Sequence, residues 1–373
     1  MDWSPCSLES VVTVGLSEAL QFYRDKTVLV TGHTGFKGTW LCFILKALGA
    51  KVAGYALPPE KGSLFILSEI ENQINSHYGD IRDYESLKKV FDVEQPEVVF
   101  HLAAQPLVLD GYLDPKYTYE TNVMGTVNVL ECIRHSPSVK TGLNVTTDKV
   151  YENREIPGYR YVETDQLDGF DPYSNSKSCS ELVTHSYISS YFQDKGITFS
   201  TARAGNVIGG GDYSANRIIP DAVRAATSNS PLIVRNENSV RPYQHVLEPL
   251  FAYLLIVARQ SDQPQLAGYY NVGPDEDDCI TTGELIELFA KYWGEEFDWE
   301  AKSDPDAPHE AGYLGLNSSK IKKMIGWEPR WNIDTTVDKT VEWYKGRNEK
   351  QDIARIIKKQ ISEYKEALNH LTV

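Results

Sequence analysis

The chain has 373 residues, enough for one large α/β domain, a smaller second lobe and a well-buried core. Its 41% hydrophobic and 24% charged residues are those of an ordinary globular protein, which excludes a disordered or fibrous chain. With 52 Asp and Glu against 37 Lys and Arg, the net charge is -15; this excludes a broad nucleic-acid surface but leaves room for a small basic pocket.

Residues 1–22 read as an N-terminal extension, partly helical over Leu16–Phe22. Met1 to Ser10 carry no basic stretch ahead of an apolar one, and no run is long enough to span a bilayer. The cytoplasm is therefore the expected compartment, with no membrane contact. Five cysteines (Cys6, Cys42, Cys132, Cys179, Cys279) are scattered, and none is spaced C-x-x-C. A disulfide framework and a metal site are both disfavoured.

From Thr27 onward, β-branched apolar runs alternate with amphipathic stretches. The spacing predicts strands at Thr27–Thr31, Lys51–Leu57, Glu97–Ala104, Gly142–Thr147, Thr198–Ala204 and Tyr269–Val272. Helices are predicted at Thr39–Leu48, Tyr84–Asp92, Asn122–Arg134 and Ser174–Asp194. Such alternation predicts an α/β, Rossmann-type, doubly wound parallel sheet covered on both faces. A dinucleotide-binding domain is expected over 23–205, with a strand at 269–273 returning to it. The rhythm degrades after Asn206, through Gly209-Gly210-Gly211, Arg241-Pro242 and Ser303–Pro308. Residues 206–335 are therefore expected to form mainly a substrate-binding lobe, and 336–373 a C-terminal helical tail.

The first strand runs into Gly32-His33-Thr34-Gly35-Phe36-Lys37-Gly38. Glycines spaced in this way allow a tight turn and let backbone N–H groups approach a pyrophosphate at the helix N-terminus. Alone the pattern is weak; between the first strand and helix of a βαβ unit it is much stronger. The acidic residue usual about 20 positions further on is missing, because the second strand ends Tyr55-Ala56-Leu57-Pro58. Asp80, at the end of the third strand, offers a carboxylate near the adenine instead. A dinucleotide is expected, NAD ahead of NADP.

Tyr173 and Lys177 open a predicted helix after Asp171-Pro172. Four residues apart, they share a face. A neighbouring ammonium favours phenolate, and such a phenol can take a proton from a sugar hydroxyl while hydride leaves the same carbon. Thr147-Asp148-Lys149 ends the fifth predicted strand, where ligands of open α/β sheets bind. Alcohol oxidation needs only the Tyr-Lys couple and a hydroxyl, so an added acid and base imply a further proton transfer.

On these residues the chain resembles the extended short-chain dehydrogenase/reductases, and within them the CDP-glucose 4,6-dehydratases. The resemblance also rests on His101-Leu102-Ala103-Ala104-Gln105-Pro106, Asn206 to Asp212, Arg241 to Leu250 and Pro308 to Ala311. It implies NAD-dependent dehydration of CDP-glucose, with Tyr173 as base at C4, Thr147 holding that oxygen, and Lys149 and Asp148 as base and acid in the loss of water. It implies cofactor contacts from Gly32, Thr34, Gly35, Phe36, Lys37, Gly38, Asp80, Ile81, Leu102, Ala103, Ala104, Tyr173 and Lys177. Substrate contacts are implied for Gln105, Asn206, Arg217, Arg235, Arg241, His245, His309, Glu310 and Tyr313. A homodimer, or a tetramer, through a four-helix interface is implied as well.

The chain departs from the pattern after Val108, where it reads Leu109-Asp110-Gly111-Tyr112 in place of Arg, any residue, Ser, Tyr. Another nucleotide sugar therefore stays open as substrate. Two further readings compete: a sugar-nucleotide 4-epimerase, which shares the Tyr-Lys pair but generally carries small residues at the positions of Asp148 and Lys149, and a non-catalytic dinucleotide-binding protein.

Overall fold

The computed structural model describes residues 15–294, 297–302 and 312–369. Its centre is a seven-stranded sheet formed by β1 (Thr27–Thr31), β2 (Lys51–Ala56), β3 (Asn75–Tyr78), β4 (Val98–His101), β5 (Thr141–Thr147), β6 (Thr198–Ala204) and β7 (Tyr269–Val272). The spatial order is β7-β6-β5-β4-β1-β2-β3, and every pairing is parallel. The winding reverses between β1 and β4, which opens a crevice beyond their carboxyl ends.

Why these segments become strands follows from burial. All seven residues of β5 are buried, as are all four of β4; sheets covered on both faces demand such near-continuous runs. The exception is β3, Asn-Ser-His-Tyr, an edge strand with no buried residue. An edge strand needs no apolar run, so periodicity had not marked this one.

Helices α1 (Phe36–Ala47), α2 (Tyr84–Glu94), α3 (Gly125–His135), α4 (Pro172–Tyr187) and α5 (Leu247–Asp262) cover the two faces. The first begins three residues earlier than the apolar pattern suggested, at the glycine turn. Its residues Gly38 to Leu45 are all buried, because α5 packs on it from outside. Asp171 caps α4 by accepting the Ser174 N–H at 3.0 Å, and Pro172 occupies the first turn, where its missing N–H costs nothing. Both α3 and α4 adjoin π-helical turns, Glu120–Met124 before the one and Ile188–Phe192 after the other.

Beyond β6 the chain builds short two-stranded ladders: Val207–Ile208 with Gln244–His245, Leu232–Val234 with Trp299–Ala301, and Val240–Arg241 with Ile280–Thr281. Two C-terminal helices, α6 (Ile333–Asn348) and α7 (Ile353–Asn369), pack back on this region. Trp343 of α6 lies against Gly210, where a Cβ would come within 1.9 Å of its ring. The Tyr344 hydroxyl donates to the Asp212 carbonyl at 2.5 Å, and Trp40 of α1 donates to the Gly210 carbonyl at 3.0 Å. One hydrophobic core runs from Leu20 to Leu368. Among the described residues no helix is long and apolar enough to cross a membrane, and no cluster of side chains could hold a metal ion.

Candidate active site

The glycine turn is shaped by close approach. Gly32 has φ +76°, and a Cβ there would lie 2.7 Å from the Ala103 nitrogen. At Gly38 a Cβ would come within 2.1 Å of the Gly32 carbonyl. The Leu102 and Ala103 N–H groups donate to the Thr31 hydroxyl at 3.2 and 3.3 Å, which fastens the end of β4 to the turn. Gly35 caps α1 without any side-chain acceptor, so the first N–H groups of Phe36, Lys37 and Gly38 are left for an anion. This cradle, which a Cβ would fill, fits a dinucleotide pyrophosphate.

Around it, Thr34 donates to the Leu57 carbonyl at 3.1 Å. Asp80 accepts from the Arg82 backbone at 2.9 Å and its guanidinium at 3.0 and 2.7 Å. Burial pushes the Asp80 carboxyl up, but Arg82 wins and holds it below the usual range. Ile81 is buried against Gly125. Ala104 is half-buried beyond β4. His33 packs its ring under Gly54 and bonds Ser76 at 2.6 Å. Burial lowers its imidazole to about 4, so it is neutral.

The chemistry-bearing groups converge at the ends of β5 and α4. The Thr147 hydroxyl donates to Asp148 Oδ1 at 2.9 Å. Asp148 is 1% exposed, and its Oδ2 has no partner among the described residues. Burial raises its carboxyl pKa against the opposing pull of Lys149, Thr147, Arg241 and Lys37. Tyr173 stands at the start of α4. Burial pushes its phenol up to about 12, while a bond to the Thr147 hydroxyl and the Arg217 charge pull it back. The phenol is therefore raised, not lowered as the Tyr-Lys spacing suggested, and the opposing pull comes from Thr147 and Arg217. Lys177 donates to the Val145 carbonyl at 3.2 Å, and burial brings its ammonium down to about 8 with Glu181 opposing. Lys37 is likewise brought to about 8, by burial and by the charges of Arg217 and Lys177. Lys149 is half-buried on the turn that follows β5.

The remaining sequence candidates fall into different places. Arg217 pairs with buried Asp212 at 2.8 Å and belongs to this cluster through its field on Tyr173 and Lys37. Arg241 is buried, donates to the Val240 carbonyl at 2.9 Å and acts on Asp148. Asn206 is half-buried, its carbonyl accepting from Gln244. Arg235 is exposed at the end of a short strand. Gln105 spends its side chain internally, donating to Thr118 at 2.9 Å and accepting from Leu107 at 2.5 Å. His245 sits in the core between Trp40 and Trp331, with ring centroids 6.0 and 4.8 Å away. Tyr313 lies among Cys279, Arg160 and Glu276. His309 and Glu310 fall outside the described residues.

Sequence reasoning missed three contributors. Asp212 orients Arg217. Glu181 faces Lys177, and its i+4 spacing was a usable signal. Gly111 lets the helix Val108–Leu113 approach Tyr173, since a Cβ there would meet the Tyr173 nitrogen at 3.1 Å.

A dinucleotide cradle at the topological switch point, beside a Thr-Tyr-Lys set and an adjoining Asp-Lys pair, defines an extended short-chain dehydrogenase/reductase of the nucleotide-sugar type. Residues 29–340 match the family described as GDP-mannose 4,6 dehydratase, and the chain belongs to this family of nucleotide-sugar 4,6-dehydratases. It is 42% identical over 354 residues to the CDP-glucose 4,6-dehydratase of Salmonella typhimurium, covering 93% of this chain and 98% of the relative. A probable dTDP-glucose 4,6-dehydratase of Sinorhizobium fredii is 28% identical, covering 85% of this chain and 92% of its own. Among solved structures, the UDP-glucose 4-epimerase of Thermus thermophilus in complex with NAD superposes with a TM-score of 0.74 at 27% identity, covering 86% of this chain and 99% of that one.

Proposed function

We propose that this enzyme dehydrates CDP-glucose to CDP-4-dehydro-6-deoxyglucose, using NAD in preference to NADP. The observation that carries the reading is Asp148: a buried carboxyl with one free oxygen, bonded to the hydroxyl of Thr147, beside Lys149 and Tyr173. The Gly32–Gly38 turn would hold NAD, which would supply the hydride acceptor for C4 and the donor for C6.

The residues divide the proton work. Tyr173 takes the C4 hydroxyl proton, and the Thr147 hydroxyl holds that oxygen. With cofactor bound, the positive charge of an oxidised nicotinamide would add to the Lys177 ammonium in favouring the phenolate over the neutral phenol that burial favours. A C4 ketone acidifies the C5 proton, which Lys149 removes and gives back to C5 when the hydride reaches C6. Asp148, whose burial favours the protonated form, gives its proton to the departing C6 hydroxyl. Arg217 and Arg241, the buried or half-buried guanidiniums of this cluster, suit the diphosphate. A 4-epimerase would need no such acid and base.

The 42% identity to a CDP-glucose 4,6-dehydratase supports the nucleotide, and the NAD of the Thermus structure supports the cofactor. We propose a cytoplasmic enzyme that forms a homodimer through a four-helix interface of the stretches Asn122–Arg134 and Ser174–Asp194. Incubation with CDP-, dTDP-, UDP- and GDP-glucose tests the substrate. CDP-glucose should give a product lighter by one water without net consumption of NAD; intact CDP-glucose after prolonged incubation would overturn the reading.

A further inference from the structure

Glu181 lies on α4 four residues beyond Lys177 and eight beyond Tyr173, so the three share one helix face. It is 1% exposed. Its Oε1 accepts from the Thr146 hydroxyl, and its Oε2 accepts from Thr201 at 2.7 Å and from the Arg203 guanidinium at 2.9 Å. Arg203 is equally buried, donating to the Tyr151 hydroxyl at 2.8 Å and the Glu163 carbonyl at 3.0 Å. Its guanidinium lies 5.1 Å from the Tyr151 ring and 5.6 Å from that of Tyr269.

Such a pair is costly to desolvate, and apolar side chains of similar volume would hold a helix to a sheet at least as well. Its position points to a different use. Lys177 bonds the carbonyl of Val145, and Glu181 bonds the side chain of Thr146. These are consecutive residues of β5, immediately before Thr147. The two side chains thus grip adjacent residues of the strand from positions one turn apart on α4.

The other groups around Lys177 give its charge no support. Lys37 approaches from α1. His101, from β4, is neutral because burial lowers it to about 3. Tyr173 contributes a neutral phenol from the same helix. Asp148 and Arg217 act on the neighbouring Lys37, in opposite directions. Burial alone drives Lys177 toward the free amine, and Glu181 is the carboxylate that opposes it.

We propose that Glu181 is a positioning residue for the first step: braced by Arg203, Thr146 and Thr201, its carboxylate keeps the Lys177 ammonium charged and seated beside Tyr173. The inference rests on reading Tyr173 and Lys177 as the pair that opens the reaction.

The test compares the holoenzyme with Glu181→Gln and Glu181→Asp. The pH profile of kcat is taken with whichever nucleotide-linked glucose the wild type turns over. Glu181→Gln should move the alkaline limb at least about one pH unit down, a tenfold change in the amine-to-ammonium ratio, with KM within about twofold. Glu181→Asp should recover part of that shift. The tyrosinate absorbance of each protein, less that of its Tyr173→Phe counterpart, should titrate at higher pH in Glu181→Gln; this reading needs no substrate. An unmoved limb and an unmoved tyrosinate in folded Glu181→Gln would overturn the proposal, as would a KM increase at constant kcat. Should Glu181→Gln fail to fold, Glu181→Asp carries the test alone: a smaller shift in the same direction supports the proposal, and none overturns it. A wild type inert toward CDP-glucose but active on another nucleotide sugar would count against the substrate alone.

Discussion

At the scale of single residues, half-buried Tyr173 and buried Asp148 are both acids whose pKa is raised by desolvation, yet they are suited to opposite work. The phenol has cations to stabilise its deprotonated form: Arg217 acts on it directly, and Lys177 shares its face. The carboxyl keeps one oxygen free and its neutral form favoured, which suits a proton donor. The two substitutions should therefore fail differently. Tyr173→Phe should lower kcat by about 10²–10⁴ at the first step, with no reduced cofactor formed. Asp148→Asn should still reduce bound NAD when sugar is added, while product loses water at least about a hundredfold more slowly. Stopped-flow absorbance of the reduced nicotinamide separates the two cases; equal burst amplitudes in both variants would contradict the assignment.

At the scale of elements, the legible parts were those where packing leaves little choice. The buried strands β1, β5 and β6 and the Asp-Pro start of α4 could be read because full burial and capping each restrict composition. β3 could not, since an edge strand made of Asn, Ser, His and Tyr has no apolar run to betray it. In the candidate site the pairing of Tyr173 with Lys177 was legible because four-residue spacing on a helix is local, and Thr147 because it ends a buried strand. It was not legible at His245, where a polar residue in a motif turns out to fill an aromatic core, nor at Asp212, which matters only through Arg217. The glycine turn makes a sharp prediction. Gly38→Ala would force a Cβ within 2.1 Å of the Gly32 carbonyl, so the turn must open. NAD affinity, measured by titration of the stripped protein, should fall at least about tenfold, some 1.4 kcal/mol; wild-type affinity would contradict the close-packed turn.

At the scale of the whole molecule, the site is held by parts far apart in sequence. Trp343 and Tyr344 of α6 clamp the Gly209–Asp212 segment against Trp40 of α1. Tyr364 of α7 donates to buried Glu248 at 2.6 Å. The same burial writes a pH dependence into stability. His33, His101 and His245 are lowered to about 4, 3 and 3 by desolvation. Below about pH 6.5 the unfolded chain binds these protons and the folded one does not, so stability falls as pH falls. Glu248, raised to about 7 chiefly by burial, works oppositely, since the folded state takes up its proton first between about 7 and 4.5. Asp148, also raised by burial, acts as Glu248 does at lower pH; at about 1.4 kcal/mol per proton, the three imidazoles set the sign of the net loss between about pH 6.5 and 5. Denaturant midpoints should decline from pH 7 to pH 5; a rise over that range would contradict the burial of these imidazoles.

The account as a whole turns on one enzyme returning to C6 the hydride it removed from C4. CDP-glucose carrying deuterium at C4 tests this directly. Mass spectrometry and NMR of the product should place the deuterium at C6 of a 4-dehydro-6-deoxy sugar, with no reduced cofactor accumulating in solution. Deuterium retained at C4 of an unreduced hexose, in the original or the inverted configuration, would contradict it.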